Sequence, residues 1–276
     1  MTFNPFIIIC FFTFIIHVAE SLAYCMRLAG VRTKQIAIAM AFVTSTLLIS
    51  RLSNMFQAPL LGASVDSAIK SGSVLALDSL EVHFRMVIFC AFLGSLVGAF
   101  LGPTFVRLFS LAIKNFLKNG SVPKLMLRLF LPRTWKIIAQ NFQMPSLRMF
   151  DNISLKRLPK QFLVINIVVT SIYTIGVLCS LYAGAHLPHL RATASQLSGI
   201  VNGMATILFT MFVDPSGARI TDQATHGVRP EADVKSVVFF LQAGRLLGTL
   251  IISQIFFKPF ALYIMWVTKA LGHVFV

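Results

Sequence analysis

The sequence predicts an all-α, polytopic membrane protein with about six transmembrane helices, and three observations carry that prediction. First, 57% of its 276 residues are hydrophobic and only 12% charged, with a mean hydropathy of +0.81 and 26 Phe. A soluble domain is usually near 45–50% apolar and about 25% charged, so half the expected charge is missing. Second, stretches close to the 20 or so apolar residues that cross a hydrocarbon core occur six times, at roughly 4–25, 36–61, 85–107, 161–184, 193–213 and 236–257. Third, Lys and Arg alternate between connections. Three fall in 26–35 (Arg27, Arg32 and Lys34), eleven in 107–160 and three in 214–235, against two in 62–85 and one in 185–192. The positive-inside rule then places the odd connections in the cytoplasm and both termini outside.

Taken in order, the first span has no Lys or Arg before Arg27 and is too long for the apolar core of a signal peptide, so it reads as a retained helix. It carries His17 and, one turn later, Glu20. In the second span Thr46, Ser50, Ser53, Asn54 and Gln57 fall within about 100° of one another on a helix, with Arg51 at the edge of the stripe. Pro59 ends that span, and Asp66 follows seven positions on. The third span contains Gly94-Ser-Leu-Val-Gly98 and then Gly102; close helix packing through small residues is sufficient reason for such a series.

Residues 107–160 form the one long connection. Pro123, Pro132, Pro145 and Pro159 separate short basic-apolar pieces, among them 124–131 and 133–138 with Trp135. Such pieces lie at the membrane interface, Lys and Arg toward anionic lipid headgroups and Leu, Phe and Trp in the acyl boundary. A surface tether that also sets topology accounts for the segment; a specific recognition role is the alternative. The chain thus divides into a first half, 1–106, a basic cytoplasmic or interfacial segment, 107–160, and a second half, 161–276.

The fifth span ends at Asp214, with Pro215 next and Asp222 seven positions beyond that proline. The sixth carries Gln242, Arg245, Thr249 and Ser253 on one stripe, and Gly244-Arg-Leu-Leu-Gly248 within it. The same features in the same order in both halves predict a three-plus-three repeat, whose halves would be inverted in the membrane, as in many secondary transporters.

Charge and motifs exclude several functions. Lys and Arg number 24 against nine acids, a net of +15 with a pI near 10.3. Nucleic-acid binding would need a hydrated basic domain, and none is present; anionic lipid is the natural partner. Cys10, Cys25, Cys90 and Cys179 have no paired spacing and read as packing residues, and His17-x-x-Glu20 is at most half a metal site. There is no phosphate loop, no H-E-x-x-H and no G-x-S-x-G, so no cofactor is implied and any transport is not driven by ATP hydrolysis on this chain.

A charged side chain at the centre of a membrane helix costs about 2.5–3.5 kcal/mol even on insertion scales, so Arg51 and Arg245 must face a cavity or a partner. Two such arginines on separate helices suit an anionic group. The acids Glu20 and Asp214 could simply neutralise them, as Glu20 with Arg51 and Asp214 with Arg245. Alternatively the acids hold the arginines until a phosphate displaces them, or one acid takes up a coupling proton.

At His17-Val-Ala-Glu-Ser-Leu-Ala-Tyr24, Arg27-Leu-Ala-Gly-Val-Arg-Thr-Lys34 and Ser50-Arg-Leu-Ser-Asn-Met-Phe-Gln-Ala-Pro59 the sequence resembles the Amj family, the alternate lipid II flippases of bacteria. The likeness is sharpest over 17–66 and continues more loosely at Asp214-Pro-Ser-Gly-Ala-Arg219 and Gly244–Gly248. Residues 107–160 carry no matching motif. The resemblance implies a plasma-membrane transporter of lipid II, a polyprenyl pyrophosphate bearing a disaccharide-pentapeptide. Arg51 and Arg245 would then meet the pyrophosphate, with Arg27 and Arg32 capturing substrate at the cytoplasmic mouth. Asn54, Gln57, Gln196 and Asn202 would hydrogen-bond the sugars, while Glu20, Asp66, Asp214 and Asp222 would serve coupling or gating. Each cation assigned here is Arg, whose fork matches phosphate oxygens better than Lys does. A carrier of another polyprenyl phosphate, a membrane-embedded enzyme using Glu20 and Asp214, and a scaffold built on the basic segment are the other readings. The sequence sets no oligomeric state.

Overall fold

In the computed structural model, which describes residues 4–120, 127, 131–145 and 151–274, all regular structure among the described residues is helical. Helix α1 (Pro5–Ala23) starts where the Asn4 side chain accepts from the Phe6 amide at 3.0 Å, with Pro5 in the first turn, where no N–H is needed. Helix α2 (Cys25–Thr33) prolongs that span and stops at Lys34, which is left-handed at φ 54°. The second and third spans, α3 (Ile36–Ser71) and α4 (Val74–Asn119), end at Gly72 and Gly120, each with φ above 60°. At 1.5 Å per residue α4 is about 69 Å long, so it projects far beyond a hydrocarbon core of about 30 Å.

After the short α5 (Pro132–Gln140), the second half consists of α6 (Lys160–His186), α7 (Arg191–Leu208), α8 (Asp214–Thr225), α9 (Glu231–Leu247) and α10 (Ser253–Val274). A π-helical turn, Phe209–Val213, joins α7 to α8, and a second, Gly248–Ile252, joins α9 to α10. Six described helical runs are long and apolar enough to cross a membrane: Pro5–Thr33, Ile36–Ser71, Val74–Lys118, Lys160–His186, Pro188–Thr225 and Glu231–His273. These are the six spans expected from the sequence. The apolar tail beyond Pro259 is part of the last of them, and buries Ala261, Ile264 and Thr268.

The halves share one packing order. In the first, α1 lies against both α3 and α4; in the second, α6 lies against α7, α9 and α10. The glycine motifs make the closest of these approaches. A Cβ on Gly98 would sit 2.6 Å from Ser21 Cβ, and one on Gly248 would sit 3.0 Å from the Ile167 carbonyl oxygen. Backbone thus meets backbone only because these positions have no side chain. Gly98→Val should therefore cost about 1–3 kcal/mol through overpacking. A thermal unfolding midpoint in detergent equal to that of the wild type would contradict this.

Two apolar clusters occupy opposite ends of the bundle. One gathers Ile9, Ile88, Ile175 and Phe257; the other gathers Cys25, Val106, Phe162 and Leu241. Between them lies a polar middle: His17 and Glu20 on α1, Ser50 and Ser53 on α3, Ser95 on α4, Thr170 and Ser171 on α6, and Arg245 on α9.

The long connection is only partly described. Of its two basic-apolar pieces, 133–138 lies in α5, with Trp135 and Ile137 exposed. The other, 124–131, falls outside the described residues apart from 127 and 131.

Candidate functional site

The polar middle converges on Arg245. Its side chain is 8% exposed and forms an ion pair with Glu20, whose side chain is 30% exposed. The same guanidinium donates to His17 Nδ1 at 2.8 Å and, through Nε, to Ser95 Oγ at 3.1 Å. Because Arg245 can only donate, Nδ1 is the acceptor and the His17 ring proton sits on Nε2. Ser50 donates to Glu20 Oε1 at 2.9 Å. Glu20 and His17 of α1 and Ser95 of α4 thus share one anion-competent group, the Arg245 guanidinium of α9, across the two halves. Gly94 and Gly98 create this arrangement, since only their close approach brings Ser95 to the His17 face of α1.

Glu20 is the wetter partner and marks the direction in which the node opens. Tyr173 of α6 is 40% exposed and donates to Thr206 at 2.7 Å. Deeper along α3, Gln57 is buried and donates to Thr13.

Four further ion pairs join the halves nearer their ends. At one end Arg27, 7% exposed, pairs with Asp214 at 2.6 Å, and Arg32 pairs with Glu231 at 2.9 Å. Gly217 leaves room for the Arg27 guanidinium: a Cβ there would lie 3.1 Å from Nη1. At the opposite end Asp66 pairs with Arg191, and Lys258 reaches Glu81 at 3.3 Å while Tyr182 donates to the same carboxylate at 3.2 Å.

The sequence leaves open which acid pairs with which arginine, and the structure differs from the pairing offered there as one alternative. Glu20 meets Arg245 rather than Arg51, and Asp214 meets Arg27 rather than Arg245. The reason is helical phase. Ser50 faces α1 and reaches Glu20, so Arg51, 100° further round, points away and is exposed. The buried arginines are therefore Arg245 and Arg27, not Arg245 and Arg51. For the same reason the α3 stripe splits, with Ser50, Ser53 and Gln57 buried and Asn54 exposed. Gln196 is exposed, and Asn202 is half-buried against Gly176 with its Oδ1 unpaired. Asp222 is exposed and, among the described residues, pairs with His226 just past the end of its helix, at 3.5 Å.

Ser95, Tyr173 and Arg191 escaped the sequence reading. Ser95 had a signal, a polar residue between two close-packing glycines. In the sequence Arg191 is only a loop charge, and nothing in the order of residues couples it to Asp66 across 125 positions.

Comparison with known proteins gives two findings. The family model described as "Amj: Alternate to MurJ" matches residues 12–268. A protein of Bacillus subtilis (strain 168) called "Lipid II flippase Amj" is 37% identical over 270 residues, covering 98% of both chains. No solved structure matches the chain.

Proposed function

The chain belongs to the Amj family, and from that premise we propose that it is a lipid II flippase, carrying the polyprenyl-pyrophosphate-linked peptidoglycan precursor across the plasma membrane by alternating access. The observation that carries the mechanism is the buried Arg245–Glu20 pair, which joins the halves midway between two apolar clusters. A guanidinium held by only one carboxylate in a membrane interior can exchange that partner for pyrophosphate, which offers more acceptor oxygens in the same fork geometry. Ser95 and His17 keep the guanidinium oriented while Glu20 leaves. Ser50 then stays with the freed carboxylate, which is the group placed to take up a coupling proton.

Ion pairs on either side of this node supply the gates. Arg27–Asp214 and Arg32–Glu231 close the side of the odd connections, assigned to the cytoplasm by charge. Asp66–Arg191 and Lys258–Glu81 close the other. The shared packing order of the halves suits a three-plus-three inverted repeat that rocks about the centre. Asn54, Gln196 and Tyr173 are exposed polar groups available to the sugars, as is Arg51 to a phosphate during passage. Gln57 is committed to Thr13 and serves packing in this conformation.

Growth rescue tests the reading. In bacteria depleted of their usual lipid II flippase, the wild-type chain should restore growth once its level in the membrane fraction is verified. Failure of a well-expressed chain would turn the assignment toward another polyprenyl phosphate lipid, and binding of purified protein to each lipid would identify it.

A further inference from the structure

A cleft of about 730 Å³ lies between α2, α4 and α9, on the flank of the bundle and apart from the Arg245 node. Its polarity runs along its length. Arg32, Arg107 and Lys235 line it at one end, and Leu96, Phe100 and Leu246 at the other. Along α4 from Arg107 to Leu96, and along α9 from Lys235 to Leu246, the separation is eleven residues, about 16 Å of helix. That is half of a hydrocarbon core of about 30 Å. The cleft therefore has the length and gradient of one leaflet, charged where the odd connections emerge and apolar toward the midplane.

Described residues of the connection between the halves also line it. Gln143, Pro145 and Ile153 line the cleft. The Gln143 amide donates to Thr104 Oγ1 of α4 at 2.9 Å, and the Thr104 hydroxyl donates back to the Gln143 carbonyl at 3.1 Å. Beyond it, the Ser154 amide donates to Ser236 Oγ of α9 at 3.1 Å. The described ends of this stretch are thus tied to opposite walls, which a free surface tether has no need of.

The geometry points to this cleft as the loading site for the polyprenyl pyrophosphate substrate in the cytoplasmic leaflet, with the described residues 143–145 and 151–154 along its wall. Charge selects that occupant. Glu231 lies 2.9 Å from Arg32 and 3.6 Å from Lys235 and offsets one of the three cations. Two positive charges remain, matching a pyrophosphate diester, whereas a phosphodiester lipid such as phosphatidylglycerol carries one negative charge. Arg107 is exposed, with no hydrogen-bond or ion-pair partner among the described residues, so its donors are free for the ligand. Substrate held here has its head beside Arg32, next to the Arg27–Asp214 gate, and its chain toward the bilayer. The inference rests on the lipid II reading above and adds where substrate waits before the gate opens.

The test uses the purified full-length chain in phosphatidylcholine nanodiscs, with undecaprenyl pyrophosphate as probe, phosphatidylglycerol as competitor and native mass spectrometry as readout. Arg107→Ala with Lys235→Ala should weaken probe binding at least about tenfold, as expected for losing charge-assisted contacts. Ala99→Trp, which fills the apolar end and leaves every cation in place, should weaken it comparably. Phosphatidylglycerol should compete poorly. Equal competition would overturn the proposal in favour of a resident phospholipid. Probe binding indifferent to both variants, with growth rescue by the wild type intact, would overturn the cleft and leave transport standing. A wild-type chain that neither rescues nor binds would remove both.

Discussion

Arg245→Ala is expected to abolish growth rescue in cells depleted of their usual lipid II flippase. Two effects contribute, and they separate. Removing one partner of a buried pair strands Glu20 and costs about 3–5 kcal/mol, so some of the loss would come from a less stable chain. Combining Arg245→Met with Glu20→Gln removes both charges and leaves groups of similar volume; replacing a whole buried pair in this way is often neutral or stabilising. The double variant should therefore accumulate and unfold like the wild type, yet still fail to rescue, because nothing in the polar middle would then hold a pyrophosphate. Rescue by the double variant would sink the assignment of Arg245 to the substrate.

The second expectation concerns the gates. Arg27→Ala and Arg191→Ala should shift the conformational balance in opposite directions, since each releases an ion pair at a different end of the same interface. In a variant lacking the four native cysteines, a cysteine at Tyr173 reports which way the centre is open. Labelling from outside with a membrane-impermeant maleimide should rise when Arg191 is lost and fall when Arg27 is lost. If each pair biases the equilibrium by about 1 kcal/mol, each change is about fivefold. Parallel changes in both variants would mean that the pairs hold the fold together and do not alternate.

Much of the fold was legible in the sequence because it follows from one-dimensional quantities. Apolar run length fixes the spans, and the glycine motifs at 94–98 and 244–248 mark the places where helices touch. The candidate site was legible only in part. That Arg245, Glu20 and Asp214 needed partners followed from the cost of charge in a membrane, and each has one. Which partner each takes depends on the rotation of one helix against another. A residue at the edge of a stripe, such as Arg51, can fall on either side of it when the contact forms. Ser50 lies next to Arg51 in sequence, and one bonds Glu20 while the other faces outward. The anchoring of Gln143 and Ser154 had no linear signal at all, since Thr104 and Ser236 are ordinary hydroxyl residues until the fold brings them to those positions.

The two π-helical turns place the moving parts. Phe209–Val213 immediately precedes Asp214, and Gly248–Ile252 lies between Arg245 and Lys258. A π turn carries one residue more than an α turn needs, so tightening either into α-helix would rotate everything beyond it by about 100° and shift it by about 1.5 Å. Such a step at the first turn would swing Asp214 away from Arg27. At the second it would carry Lys258 off Glu81 while leaving Arg245 in place. The chain thus holds a spare residue beside a charge at each end, and the described helices of the first half hold none. Motion built on these steps is indexed: the second half would advance past the first by single residues, as a pawl does past a toothed wheel, and would come to rest only where charges meet again.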